Sequence, residues 1–211
     1  MRKQFAVLAI CTGSLMAATT AMADDIDALM DRLSDLDTLS TDFRQLTLDA
    51  AETSIQTLTG TLQLERPNNL YWYSNAPYEQ AIYVSDGMIW IYDIDLEQAV
   101  RQPLDEQWEQ SPALVLTGTR EQISARYAVT QTADRPPFAT FTLEPLGVRS
   151  AIDSLALAFD GKKPTSIRLV DSFNQTTLVN FDNVVMNTPI DASVFTFNPP
   201  AGVDVIEQLG P

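Results

Sequence analysis

The chain has 211 residues, 45% hydrophobic and 19% charged, which is apolar enough for one domain with a real core and too apolar for a disordered acidic tail. It contains no histidine, which excludes Ser-His-Asp and Cys-His hydrolases, His-ligated zinc and imidazole acid–base catalysis. Its 28 acidic residues against 13 basic ones give a net charge of −15, which excludes nucleic acid as a partner and simple adhesion to anionic lipid, leaving basic or apolar partners.

Residues 1–23 read as a cleaved signal peptide. Arg2 and Lys3 make a short basic start, Phe5 to Met16 is apolar and small, and Ala21-Met22-Ala23 supplies the small-x-small cleavage pattern. The apolar run is shorter than the about 20 residues of a membrane span. The one cysteine, Cys11, lies inside this segment, and Ile10 stands where a lipidation box needs a small residue. The expected product is therefore a single domain, 24–211, exported, soluble and without thiols.

Asp25 to Leu39 predicts an amphipathic helix, with Ile26, Leu29, Leu33 and Leu36 at spacings of three and four beside Met30. From about Phe43 to Met186 the period becomes two. Leu58, Leu62 and Leu64 alternate with threonines and Gln63, Ile82 and Val84 with Tyr83, and later runs pair Tyr127/Val129, Phe141/Leu143, Leu155/Leu157/Phe159, Ile167/Leu169 and Val179/Phe181. Turn chemistry separates them at Arg66-Pro67-Asn68-Asn69, Ser85-Asp86-Gly87, Asp160-Gly161 and Asp171-Ser172-Phe173-Asn174. Loops this short leave no room for helical crossovers, so the sheet is antiparallel.

One interruption breaks the strand pattern. Ser111-Pro112-Ala113-Leu114-Val115-Leu116-Thr117-Gly118 has a capping serine, a first-turn proline and a terminal glycine around a helix of barely two turns, apolar nearly all round. Thr119-Arg120-Glu121-Gln122 matches a capping box opening a second short helix toward Ala125. Helices this short need other apolar surface beneath them, and one face of the sheet supplies it.

Leu70-Tyr71-Trp72-Tyr73 and Met88-Ile89-Trp90-Ile91-Tyr92 are apolar at successive positions, unlike strands with one solvated face. A sandwich or barrel core with outer aromatics fits this, and so does a curved sheet whose concave face is a ligand cavity under the helices. Carboxylate pairs such as Asp93 with Asp95, or Asp105 with Glu106 and Glu109, fall in loops of a very acidic chain, so solvated charge is the reading and not catalysis. No EF-hand pattern is present.

Six ordered segments resemble the outer-membrane lipoprotein carrier (LolA) family. They are Asp42-Phe43-Arg44-Gln45, Glu65 to Trp72 with Arg66-Pro67-Asn68, Val84 to Asp93 with Ser85-Asp86-Gly87, Leu96 to Ala99, Ser111 to Leu116, and Phe195 to Val205 with Pro199-Pro200 and Gly202-Val203-Asp204-Val205. The sequence departs from the family pattern at Asn69 and Leu70 and has no sharp motif from Arg126 to Val148. The resemblance implies a mainly β fold, an incomplete antiparallel β-barrel or half-barrel around an apolar cavity, covered by a helical lid.

It further implies a periplasmic chaperone, not an enzyme, that needs no cofactor and acts as a monomer. Such a carrier holds the acyl chains of triacylated lipoproteins, takes them from an inner-membrane lipoprotein-releasing ABC transporter and hands them to an outer-membrane receptor lipoprotein, LolB. An exported lipid-binding sensor with the same half-barrel is the alternative. In the family the arginine matching Arg66 is the lid latch, bonded to lid backbone when the cavity is empty. Shared parity within each strand assigns the cavity lining to Leu62, Leu64, Leu70, Trp72, Ile82, Val84, Ile89 and Ile91, with Leu114 and Leu116 facing it from the lid.

Overall fold

The computed structural model describes residues 21–104, 112–147 and 150–208. Cys11, most of the expected signal peptide, Ser111, Asp105, Glu106 and Glu109 lie outside the described residues. In chain order come α1 (Ala21–Leu33), β1 (Thr38–Leu48), β2 (Ser54–Glu65), β3 (Asn69–Ser74), β4 (Gln80–Ser85), β5 (Met88–Asp93) and β6 (Gln98–Pro103). A 3-10 segment, Pro112–Leu116, and α2 (Arg120–Arg126) follow. The second run of strands is β7 (Tyr127–Arg135), β8 (Phe138–Pro145), β9 (Ile152–Asp160), β10 (Lys163–Asp171) and β11 (Thr176–Met186). A 3-10 turn, Ala192–Phe195, leads to the last strand, β12 (Asp204–Glu207).

All the strands form one sheet in the order β12-β6-β5-β4-β3-β2-β1-β11-β10-β9-β8-β7. Its two edges, β12 and β7, do not pair, so the barrel is incomplete. Every pairing is antiparallel except β12 with β6, which is parallel. Sequential hairpins explain most of this order. Asp86 (φ 52) and Gly87 (φ 72) form a two-residue turn with both residues left-handed, the geometry that matches strand twist and fixes the β4–β5 register.

One face of the sheet carries the core. On β2 to β5 it carries Leu62, Leu64, Leu70, Trp72, Val84 and Ile89, and on β8 to β11 Phe141, Leu143, Leu155, Leu157, Ile167 and Val179. α1 lays Ile26, Leu29 and Leu33 on this face, packing against β7, and Ala113 to Leu116 are fully buried there. An apolar strip with no polar side of its own is stable only inside such a core.

The opposite face explains why β3 and β5 lack alternation. Residues 188–203 return across it, and Phe197 sits with its ring centroid 5.0–5.2 Å from those of Tyr83, Trp90 and Tyr92. The aromatic outer positions are thus half-buried beneath a strap that ends as β12 beside β6.

One expected boundary moves and one helix type changes. The first helix ends at Leu33 and not Leu39, because the Ser34 hydroxyl turns back to the Asp31 carbonyl and the chain reverses into β1 at Thr38. Leu36 and Leu39 are buried as the pattern required, but from a turn and a strand. The lid segment winds as a 3-10 helix, while α2 has the expected capping box at Thr119 and Gln122.

Candidate functional site

The registers sort the concave face into rungs running across β2 to β5. Leu64, Leu70, Val84 and Ile89 form one rung; Leu62, Trp72, Ile82 and Ile91 form the next; Gly60, Ser74, Gln80 and Asp93 form a third. Each rung lies two residues further from the β2–β3 turn. The first is fully buried under the cover. In the second, Leu62 is fully buried, Trp72 is 7% exposed, and Ile82 and Ile91 are partly buried.

A cavity of about 700 Å³ opens over the second and third rungs, at the end of the sheet away from Arg66. Trp72 and Ile82 are the residues of the expected lining that border it. Leu62, Leu64, Leu70, Val84, Ile89 and Ile91 share the face but do not border the cavity. Leu114 and Leu116 are fully buried against the core, and only Pro112 of the 3-10 segment reaches the cavity wall. The far wall, not anticipated from sequence, comes from Leu58, Ile152, Leu169 and Val179.

Behind Trp72 the wall is built from an unusual cross-strand trio. Phe43 lies opposite Gly60, and its ring centroid is 4.0 Å from that of Trp72. A Cβ at Gly60 would sit 1.9 Å from the Tyr73 carbonyl oxygen and 2.7 Å from the Phe43 ring, so only glycine lets the phenylalanine lie flat over β2. The Trp72 indole N–H donates to the Ser74 hydroxyl at 3.3 Å, which satisfies its one polar atom on an otherwise apolar surface.

Arg66 stands in the β2–β3 turn at the opposite end. Its Nη1 donates to the Leu33 carbonyl at the end of α1, and its Nη2 to the Gly118 carbonyl between the 3-10 segment and α2, both at 2.9 Å. One guanidinium thus bridges the two elements that cover the concave face. Burial lowers its pKa from the ordinary arginine value, and nearby Asp37 opposes that shift. The cover has other ties at its edges. Arg32 donates to the Gly161 carbonyl at 2.8 Å, Lys162 pairs with Asp35 at 2.9 Å, and Arg120 pairs with Asp27 at 2.8 Å. The last two pairs are well exposed and contribute little.

Large exposed apolar side chains gather round the cavity's end of the sheet. Tyr78 and Leu96, 59% and 70% exposed, rise from the β3–β4 and β5–β6 turns and border the cavity itself. Leu146 and Phe173 project from the β8–β9 and β10–β11 connections, and Ile55 from the start of β2. Among the described residues there is no group of His, Cys, Asp or Glu arranged to hold a metal ion, and no helix is long and apolar enough to cross a membrane.

The sequence is similar to known proteins. The profile of the outer membrane lipoprotein carrier protein LolA family matches residues 34–198. An outer-membrane lipoprotein carrier protein of Alcanivorax borkumensis is 37% identical over 209 residues, covering 99% of both chains. One from Pseudomonas aeruginosa is 38% identical over 196 residues, 92% of this chain and 94% of its own. In fold, the chain is similar to an uncharacterized conserved protein from Thermus thermophilus, with a TM-score of 0.56 at 9% identity over 86% of this chain and 98% of that one. Family profile and near full-length relatives agree: the chain belongs to the outer-membrane lipoprotein carrier (LolA) family.

Proposed function

We propose that the protein is a periplasmic chaperone that binds the acyl chains of outer-membrane lipoproteins and carries them, as a soluble monomer freed of residues 1–23, from an inner-membrane ABC transporter to the receptor lipoprotein LolB. The observation that carries this reading is the Arg66 bridge, which holds both covering elements over an apolar concave face. Burying acyl chains is worth about 0.8 kcal/mol per CH₂, so a triacylated protein clings to its membrane and a carrier must offer comparable apolar surface. A carrier must also release. A closed, empty state stabilised by Arg66 acts as a latch, weakening net binding by the free energy needed to open it.

The exposed apolar side chains Tyr78, Leu96, Leu146 and Phe173 suit transient docking of the open end on transporter and receptor. Strong acidity favours basic faces on those partners and raises on-rate more than affinity. Native mass spectrometry of protein purified from periplasm without detergent tests the cargo. A population carrying triacylated lipoprotein supports the carrier. An invariably empty cavity with a co-purifying signalling protein supports a sensor instead.

A further inference from the structure

The cavity and the latch are at opposite ends of the concave face, and this separation has a functional consequence. None of Arg66, Leu33 and Gly118 borders the cavity, and of the 3-10 segment only Pro112 does. The cavity can therefore be filled with the latch bonds intact. At roughly 30 Å³ per carbon, about the share of one water in the liquid, a 16-carbon chain needs about 480 Å³. The 700 Å³ present admits one such chain. Trp72, Ile82, Leu58, Leu169 and Val179 give that chain an apolar wall.

The rim selects the head group. Among the described residues, the charged side chains that border the cavity, Glu79, Asp93 and Asp95, are all acids. Two of them are fixed in place: Glu79 accepts from the Tyr73 hydroxyl at 2.8 Å, and Asp93 accepts from the Leu96 backbone N–H at 3.0 Å. Gln45, Gln56 and Gln80 add neutral amides on the same border. An anionic head would sit among three carboxylates in a partly enclosed space, where like-charge repulsion is less screened than in bulk water.

We infer that the closed-lid protein has a preformed vestibule for one single-chain amphiphile with an uncharged or cationic head, and that a first acyl chain enters there before the latch opens. This rests on the acyl-carrier reading only in taking the cavity's ligand to be an alkyl chain. Binding of cargo is then stepwise. One chain fills the vestibule, and the remaining chains need the deeper rungs that Leu114 and its neighbours occupy while the lid is shut.

The test is calorimetric titration of the mature protein with three dodecyl probes below their micelle concentrations: dodecyltrimethylammonium, dodecyl maltoside and dodecyl sulfate. The expected result is one equivalent bound, with the sulfate weaker than the trimethylammonium by about tenfold. Leu58→Trp should fill the vestibule and abolish binding, which separates it from adventitious adsorption of a cation on an acidic protein. Asp93→Asn with Asp95→Asn should level the head-group preference. Arg66→Leu should change affinity for the single-chain probes by less than twofold. Equal affinity for the three heads, two or more equivalents bound, full binding by Leu58→Trp, or a tenfold change with Arg66→Leu would each overturn the proposal. No binding of any probe would overturn it too, while leaving the carrier reading to stand or fall on transfer of three-chain lipoprotein.

Discussion

Replacing Arg66 by leucine removes two hydrogen bonds of 2.9 Å that join the β2–β3 turn to the end of α1 and to Gly118. Bonds to a charged group are worth roughly 1.5–3 kcal/mol each when both partners are dry. Here the guanidinium is half-buried, so water already competes for part of each bond. The lower end of that range for the pair as a whole, about 1.5 kcal/mol, is the appropriate magnitude. If both bonds are absent in the loaded state, the closed state loses this stabilisation and the loaded one does not. Cargo should then bind about tenfold more tightly; counting about 1.5 kcal/mol for each bond separately would raise this to about a hundredfold. The turn itself should survive, because the Arg66 backbone N–H still donates to the Asp37 carbonyl. A two-step assay measures release of lipoprotein from spheroplasts and delivery to receptor separately. The expected variant releases lipoprotein at least as well as wild type and delivers it more slowly. Reduced release with normal delivery would refute the latch and make Arg66 a cargo contact or a support of the turn.

Gly60→Ala should lower stability by about 3 kcal/mol or more, because the new Cβ meets backbone and not a movable side chain; an unchanged melting temperature would contradict the close approach of β2 and β3. Tyr83, whose phenol is pushed up to about 12 chiefly by burial and then by Tyr71, should titrate late. Since its folded pKa exceeds the unfolded value of 10.0, its contribution is intact below pH 10 and is lost as pH rises from there to about 12; ultraviolet titration of Tyr83→Phe should lack that late phase. Asp35 is held below the ordinary aspartate value, first by its bond from Lys162, so Lys162→Met should raise its carboxyl pKa in an NMR titration. The mature protein should begin near Asp24, and an intact mass showing an uncleaved or acylated N-terminus would disprove export by cleavage after Ala23.

Facing was legible in the sequence, and depth was not. Alternation placed Leu62, Leu64, Leu70, Trp72, Ile82, Val84, Ile89 and Ile91 on one face, and the registers put them there together. Which of them meets open space depends on where α1 and Leu114 lie along the strands, a long-range matter that strand period does not encode. Leu58 showed the same parity on β2, beside Trp72's strand, while Leu169 and Val179 showed it on theirs and reach the same cavity only through the order β2-β1-β11-β10. The helix end was misplaced because Leu33, Leu36 and Leu39 keep a spacing of three through a turn and into a strand. Arg66 carried no signal of its own beyond family resemblance, since an arginine beside a turn proline is ordinary. Its significance comes from Leu33 and Gly118, 33 and 52 residues away. The two-faced apolar strands β3 and β5 were compatible with outer aromatics or with a ligand cavity, and neither reading foresaw the Phe197 strap that half-buries their outer face.

Incubation of the purified mature protein with spheroplasts loaded with radiolabelled, triacylated lipoprotein tests the account most directly. Lipoprotein should appear in the soluble fraction as a one-to-one complex with the protein, dependent on ATP in the spheroplasts, and should pass from that complex to receptor. Lipoprotein that stays in the membrane at every concentration of the protein, while other outer-membrane lipoprotein carriers release it in parallel, would contradict the account.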